Sequence, residues 1–426
     1  MYLTKKIIYK PSELELNVLN SFAFSSAKLW NIANYEKKNY KDLGFLKFPD
    51  WYDQKKRLKD NFWYKNLPSQ TAQDVLDKLQ KSWKSYFELN KTKGIKNPKP
   101  PRFKDTLFNF IFLNNGFKRT DGTTINFTVS KQQKEYLKNE YSFDSKYLSL
   151  KIDSFSAIKG NIKTIEFKPL KDKRYQINVV YEKEEPKLRE ENNHYLSIDM
   201  GVSNLFTCYD NEGSSFIVSG SKYLATSHYF NKKISHFQEI ANSQQISDGR
   251  KYVTSTKRIN SLHKKKQLQL YHYFHCATKE IVKYCVKHDI SKVVIGDIKH
   301  IRKNANLGKI NNQKFHFLPY DKIYSLLEYK LKLEGIELIK IKENYSSQVS
   351  PFAPEVSKKY ATKNKRKYRG LYVDQMTLFN ADSVGAFNIL RLYEQKENKG
   401  LLIPIKGLSN PQKGISYWKE SIMEKK

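Results

Sequence analysis

Leu196-Ser197-Ile198-Asp199-Met200-Gly201-Val202-Ser203-Asn204-Leu205-Phe206-Thr207 is a short apolar run that ends in a carboxylate, turns at once through a glycine, and re-enters a second apolar run. That second run closes at Asn211-Glu212-Gly213, a turn signal, before a third run from Ser215 to Val218. Strand, Asp, glycine turn, strand, turn, strand reads as the start of a sheet with Asp199 at a strand end. Taken alone, Asp-x-Gly has two uses: a carboxylate holding a divalent metal, or an aspartate that merely opens a turn in a β-meander. The rest of the chain shifts the balance toward the metal, because later carboxylates stand in suitable places and positive charge surrounds them.

At 426 residues the chain is long enough for two or three domains with cores. Its 77 Lys and Arg against 43 Asp and Glu leave a net charge of +34. Self-repulsion of that size works against a compact fold unless a polyanion neutralises it. Tyrosines (29) and phenylalanines (25) are interleaved with the basic residues, as base-stacking surfaces require, so nucleic acid is the expected polyanion. A basic membrane-surface protein is set aside, since there is no apolar run of spanning length and no signal-peptide pattern at Met1-Tyr2-Leu3-Thr4-Lys5-Lys6. Cys208, Cys276 and Cys285 form neither a disulfide framework nor a Cys-x-x-Cys pair, which fits a reducing, intracellular setting.

Taken in order, Leu3 to Tyr9 reads as a strand, and Ser12 with Glu15 as a capping box opening a helix with Leu14, Val18, Phe22, Leu29 and Ala33 on one face. A second helix, about 68–89, carries Ala72, Val75, Leu76, Leu79, Trp83, Tyr86 and Phe87 at 3–4 spacing. Both stripes read as helix packing. The run 91–104 is basic, proline-punctuated and free of acids, so Lys99, Arg102 and Lys104 suit an extended segment along a phosphate backbone, or a plain charged linker. From Phe108 to Tyr181 the pattern is β, a small barrel or sheet completed by the N-terminal strand, and the charged run 182–193 makes a boundary. A long helical insertion, about 227–288, carries His263, His272, His275, Cys276, Cys285 and His288 without a paired ligand motif. Then come a strand at 292–295, a loop with Lys299, Arg302, Lys303 and Lys309, a helix at 319–333 and a strand at 336–343. Strand, helix, strand indicates a right-handed parallel crossover. The loop with Lys358, Lys359, Lys363, Lys365, Arg366, Lys367 and Arg369 has no acid among them, and Asn380-Ala381-Asp382 opens a last helix before a polar tail at 401–426.

Ser-Ile-Asp-Met-Gly-Val-Ser-Asn at 197–204, Asn-Leu-Gly-Lys-Ile-Asn-Asn-Gln at 306–313, Glu-Asn-Tyr-Ser-Ser-Gln at 343–348, Arg-Gly-Leu-Tyr at 369–372 and Asn-Ala-Asp-Ser-Val-Gly-Ala-Phe-Asn-Ile at 380–389 together resemble the RuvC nuclease domain of TnpB. In the N-terminal half, Leu-Pro-Ser-Gln-Thr-Ala-Gln at 67–73 and Pro-Lys-Pro-Pro-Arg-Phe at 98–103 look like the same family. TnpB proteins are transposon-encoded, RNA-guided DNA endonucleases related to the compact type V CRISPR effectors. The resemblance implies an α+β multidomain protein: a wedge-type β-barrel (1–10 and 91–190), a helical recognition insert (11–90), and an RNase H-like RuvC α/β domain (191–400). It implies a guide RNA from the transposon end, a double-stranded DNA target beside a short motif, and a cytoplasmic, nucleoid-associated protein of a bacterium or archaeon. Two features depart from the pattern. Gly296 stands where most members have the second catalytic glutamate, which is expected here at Glu343. The four zinc-ribbon cysteines of many members are missing from 350–377, so no zinc is expected.

Phosphodiester hydrolysis in such a domain needs two Mg²⁺ ions held by carboxylate oxygens. Strand ends of an α/β sheet converge on one edge, which brings Asp199 and Glu343 forward as catalytic metal ligands, with Asp382 at a helix start completing the set. Capping of the last helix is the competing use of Asp382. Asp297 competes with Glu343, but it is shorter and one residue later, on the opposite face of its strand. Arg302, Lys303, Lys309, Lys365, Arg366, Lys367 and Arg369 are expected to hold nucleic-acid phosphates. A nuclease-inactive RNA-guided repressor, or an unguided DNA-binding transposon accessory protein, would share most of these features.

Overall fold

In the computed structural model the described residues are 1–92, 97–170, 172–250, 253–297, 318–362, 365, 368, 370–398, 400 and 402–413. The chain divides into two units, Met1–Glu184 and Glu185–Lys426.

In the first unit, β1 (Tyr2–Tyr9) leads into α1 (Glu13–Lys38). The capping box is present: Ser12 Oγ accepts from Glu15 N, and Glu15 Oε2 accepts from Ser12 N. Val18, Phe22, Leu29 and Ala33 are buried as the spacing predicts, while Leu14 at the helix start is exposed. Two short helices, α2 (Trp51–Arg57) and α3 (Phe62–Lys65), precede α4 (Ser69–Thr92). They are opened by Asp50 and Asn61 caps. Ala72, Val75, Leu76, Leu79 and Trp83 of α4 are buried, and its last aromatic, Phe87, is exposed.

The strands of this unit make two sheets. The first has the order β1, β7 (Tyr175–Glu182), β6 (Asn161–Pro169), β2 (Phe110–Leu113), all antiparallel. The N-terminal strand completes it, paired from Tyr2 with Glu182 to Tyr9 with Tyr175. The second joins β3 (Phe117–Arg119), β4 (Thr124–Thr128) and β5 (Tyr147–Lys151). The β pattern expected through 108–181 is broken by a helix, α5 (Lys131–Tyr141), capped by Ser130. Its only fully buried apolar side chain is Leu137, too little for a helical stripe to show in the sequence.

The second unit is built on a six-stranded sheet. Its order is β12 (Glu337–Ile341), β11 (Lys292–Gly296), β8 (Tyr195–Asp199), β9 (Asn204–Asp210), β10 (Ser215–Ser219), β15 (Gln412–Lys413). The three strands at the β12 end are parallel, β8, β9 and β10 meander antiparallel, and the tail returns as a parallel edge strand. The expected long helical insertion is two helices, α6 (Ser221–Ser247) and α7 (Lys257–Lys287). Gly249 at φ +74° follows the end of α6, and Thr256 caps the start of α7, so the chain stops and restarts. The crossover from β11 to β12 runs through α8 (Tyr320–Leu333). A hairpin, β13 (Leu371–Asp374) and β14 (Thr377–Asn380), then precedes α9 (Ala381–Glu397). Val384, Ala386, Phe387, Ile389 and Leu390 of α9 share an apolar core with Tyr195 and Tyr209 of the sheet. Among the described residues no helix is long and apolar enough to cross a membrane.

Candidate active site

Register decides which residues meet at the carboxyl ends of the parallel strands. Ile198 pairs with Ile295 and Gly296 with Ile341, so Asp199 and Gly296 end adjacent strands side by side. Glu343 follows the end of β12 by two residues. Asp297 N donates to Ile341 O at 2.7 Å, continuing the ladder past β11.

Two glycines make room for two carboxylates. A Cβ placed on Gly296 would lie 2.2 Å from Glu343 Oε2. The carboxylate of Glu343 therefore occupies the space where a side chain at 296 would begin. On α9, a Cβ placed on Gly385 would lie 2.5 Å from Asp199 Oδ2. Ser197 Oγ fixes this approach by sharing its one hydroxyl hydrogen between Ala386 O at 2.7 Å and Tyr209 O at 3.0 Å.

Glu343 is held from behind. Ser346 Oγ donates to Glu343 O at 3.1 Å, and the fully buried Asn388 of α9 donates to Ser346 O and Val349 O. Its acid titrates high, pushed up to about 8 by burial first, then by the charges of Asp199 and Asp297. Burying carboxylates together is costly unless a cation or proton compensates.

Asp382 is not the helix cap. Asn380 Oδ1 takes that role, accepting from Asp382 N and Ser383 N at 3.1 Å, and Asp382 Oδ2 instead accepts from Asn204 Nδ2 at 2.8 Å. Asn204 and Asp382 thus link the first residue of β9 to the first turn of α9. Among the described residues, no three His, Cys, Asp or Glu side chains are gathered closely enough to ligate an ion as they stand. What the fold assembles is Glu343 within electrostatic reach of Asp199 and Asp297, with Asp382 on the helix that also cradles Asp199. All these donors are oxygens, which fits a hard divalent cation and not a soft one.

The basic residues fall into three groups. Lys99 and Arg102 are exposed. Lys104 lies over the Trp30 and Phe108 rings, 4.4 and 4.7 Å from their centroids, and Lys365 donates to both oxygens of Asp374. Arg302, Lys303, Lys309, Arg366, Lys367 and Arg369 lie outside the described residues, as does the 306–313 motif. On α7, Cys276 Sγ sits 3.6 Å from His272 Nε2, and Cys285 is buried.

Gly385 and Asn204 were not singled out by the sequence. A glycine amid the apolar face Val384-Gly385-Ala386-Phe387 was the available signal, since glycine inside a helix costs about 1 kcal/mol against alanine and marks a close approach.

Residues 178–302 match a family model described as OrfB_IS605, probable transposase. Residues 320–389 match one described as Cas12f1-like, TNB domain. A curated relative, the TnpB-like protein ORF457 of Acidianus two-tailed virus, is 22% identical over 201 residues, 47% of this chain and 42% of that protein. The matched part is thus less than half of that relative's length. Among solved structures, the cryo-EM structure of the Cas12f1-sgRNA-target DNA complex is similar with a TM-score of 0.58 at 16% identity, covering 89% of this chain and 83% of that one. At that identity the likeness is one of fold.

Proposed function

We propose that this chain, a member of the TnpB family, is an RNA-guided DNA endonuclease that cuts at the carboxylate site of its second unit. One observation carries the proposal: the carboxylate of Glu343 fills the space at Gly296, beside Asp199, at the ends of adjoining parallel strands. A structural glutamate has no need of a glycine to admit it next to another carboxylate. On this reading the second unit is an RNase H-like RuvC domain. The sheets of the first unit form the wedge-type barrel, and its helices within 11–90 the recognition insert.

Asp199, Glu343 and Asp382 would hold Mg²⁺, the expected cofactor, which when bound supplies an activated water and charge stabilisation for phosphodiester hydrolysis. The chain's own residues prepare the site. Gly296 and Gly385 admit the carboxylates, Asn204 orients Asp382, and Asn380 relieves Asp382 of capping. Base pairing with a guide would supply sequence specificity, leaving the protein to hold phosphates and heteroduplex shape, which accounts for a charge of +34. Lys99 and Arg102, with Arg302, Lys303, Lys309, Arg366, Lys367 and Arg369, are the proposed phosphate contacts; Lys365 and Lys104 are engaged within the protein.

The test is cleavage of a plasmid library by protein produced with the RNA that flanks its gene. Asp199→Ala, Glu343→Ala and Asp382→Ala are each expected to abolish Mg²⁺-dependent cutting and to keep guided binding, while Asp297→Ala retains cutting. Unmutated protein that binds its target and never cuts would establish the repressor reading instead. DNA binding by protein that carries no RNA would establish the unguided one.

A further inference from the structure

A cavity of about 560 Å³ opens in the first unit between α1, α3, α5 and the segment at Thr106-Leu107. Five rings line it: Phe24, Phe62, Trp63, Tyr136 and Tyr141. Phe24 and Phe62 both meet Trp63 edge-on, with centroids 5.4 and 4.9 Å away. Phe62, Tyr136 and Tyr141 remain 53%, 41% and 36% exposed, so their faces are open to a ligand. The lining holds no charged side chain. It does hold Asn66, 3% exposed, whose Nδ2 donates to Ser25 Oγ at 2.7 Å and whose buried Oδ1 has no hydrogen-bond partner.

We propose that this cavity receives one unstacked nucleobase, an inference that rests on reading the chain as a nucleic-acid-binding protein. Rings suit a flat neutral heterocycle, and stacking on aromatic side chains is how single-stranded nucleic acid is gripped without regard to order. The Lys28 ammonium, 5.1 Å from the Phe24 ring centroid, places a cation beside the pocket for the phosphate that accompanies a base. An apolar peptide would gain nothing from the net charge of +34.

The probe is a short single strand, made as RNA and as DNA, with one 2-aminopurine among uracils or thymines. It is added without Mg²⁺ to full-length protein freed of co-purified nucleic acid by high salt, so the readout does not depend on cutting. Binding is expected to quench 2-aminopurine fluorescence in one arm or both, which identifies the kind of strand the pocket accepts. Phe62→Ala and Tyr136→Ala, at exposed positions that the fold tolerates, are expected to restore the fluorescence and weaken binding about tenfold. Binding without quenching, or quenching and affinity unchanged in Phe62→Ala and Tyr136→Ala, overturns the pocket and leaves charge alone. No binding of either strand at low salt overturns the nucleic-acid reading as well.

Discussion

A glycine can be as much a part of a carboxylate site as the carboxylates, and at Gly385 that is testable. Gly385→Ala should strengthen α9 by about 1 kcal/mol through helix propensity. Its new methyl would stand 2.5 Å from Asp199 Oδ2, so the carboxylate has to turn away. The expected outcome is an unchanged or raised Tm with cutting reduced at least tenfold; undiminished cutting would show that Asp199 does not act from this position. Gly296 permits the converse experiment. Glu343 Oε2 lies 2.2 Å from the Cβ that Gly296 lacks, so a carboxylate can be returned to position 296 in its place. The double variant Gly296→Asp with Glu343→Ala should recover measurable cutting that Glu343→Ala alone has lost. If the double variant is as inactive as the single one, the two positions are not interchangeable. Asn204→Ala, which removes the donor 2.8 Å from Asp382 Oδ2, should lower cutting about tenfold, a loss typical of an orienting residue. Guided binding should stay unchanged.

The segment between β12 and α9 contains no cysteine, and a polar clasp joins parts of it. Asp374 at the end of β13 accepts from Lys365 at 2.7 and 2.8 Å and from the Ser350 hydroxyl. Arg391 of α9 donates to Ser350 O and Ala353 O. Burial works to raise the acid of Asp374, but the Lys365 ammonium and the Ser350 hydroxyl outweigh it and hold the acid below the usual 3.8. A depressed acid stabilises fully above its unfolded value, and the contribution is lost as pH falls through the folded one. Protection of β13 and β14 amides, measured against the unfolded-chain exchange rate at the same pH, should therefore fall below about pH 4. Asp374→Asn should show fast exchange already at neutral pH, with about 2 kcal/mol of local stability lost. Exchange that is slow in both, or unaffected by acid, would mean that the hairpin is held by its apolar contacts alone.

Charge is the property of the whole chain. With +34 spread over 426 residues, self-repulsion opposes the folded state unless anions gather on it. Purified protein is expected to carry RNA, seen as a high 260/280 nm absorbance ratio, and to lose thermal stability when nuclease removes it at low salt. Affinity for a random single strand should fall at least about a hundredfold between 50 and 200 mM salt, because each phosphate contacted releases counterions. A flat salt dependence would show that the charge does not bind phosphates.

The sequence alone determined the two long helices of the first unit, the strand–Asp–turn–strand start of the second and the crossover through α8, since each is written in local periodicity, caps and turns. It also carried the sign and size of the charge, which need no fold. It did not show α5, whose one buried apolar residue leaves no stripe; the break between α6 and α7 was written in Asp248-Gly249 and the Thr256 cap but was not read there. The sequence proposed Asp199, Glu343 and Asp382 as site carboxylates; how their neighbourhood is packed is visible only in the tertiary structure. Parallel register sets Asp199 beside Gly296, and α9 brings Gly385 against Asp199 and Asp382 against Asn204, 178 residues away in the chain. Such proximities come from packing a helix on a sheet, and no spacing along the chain encodes them.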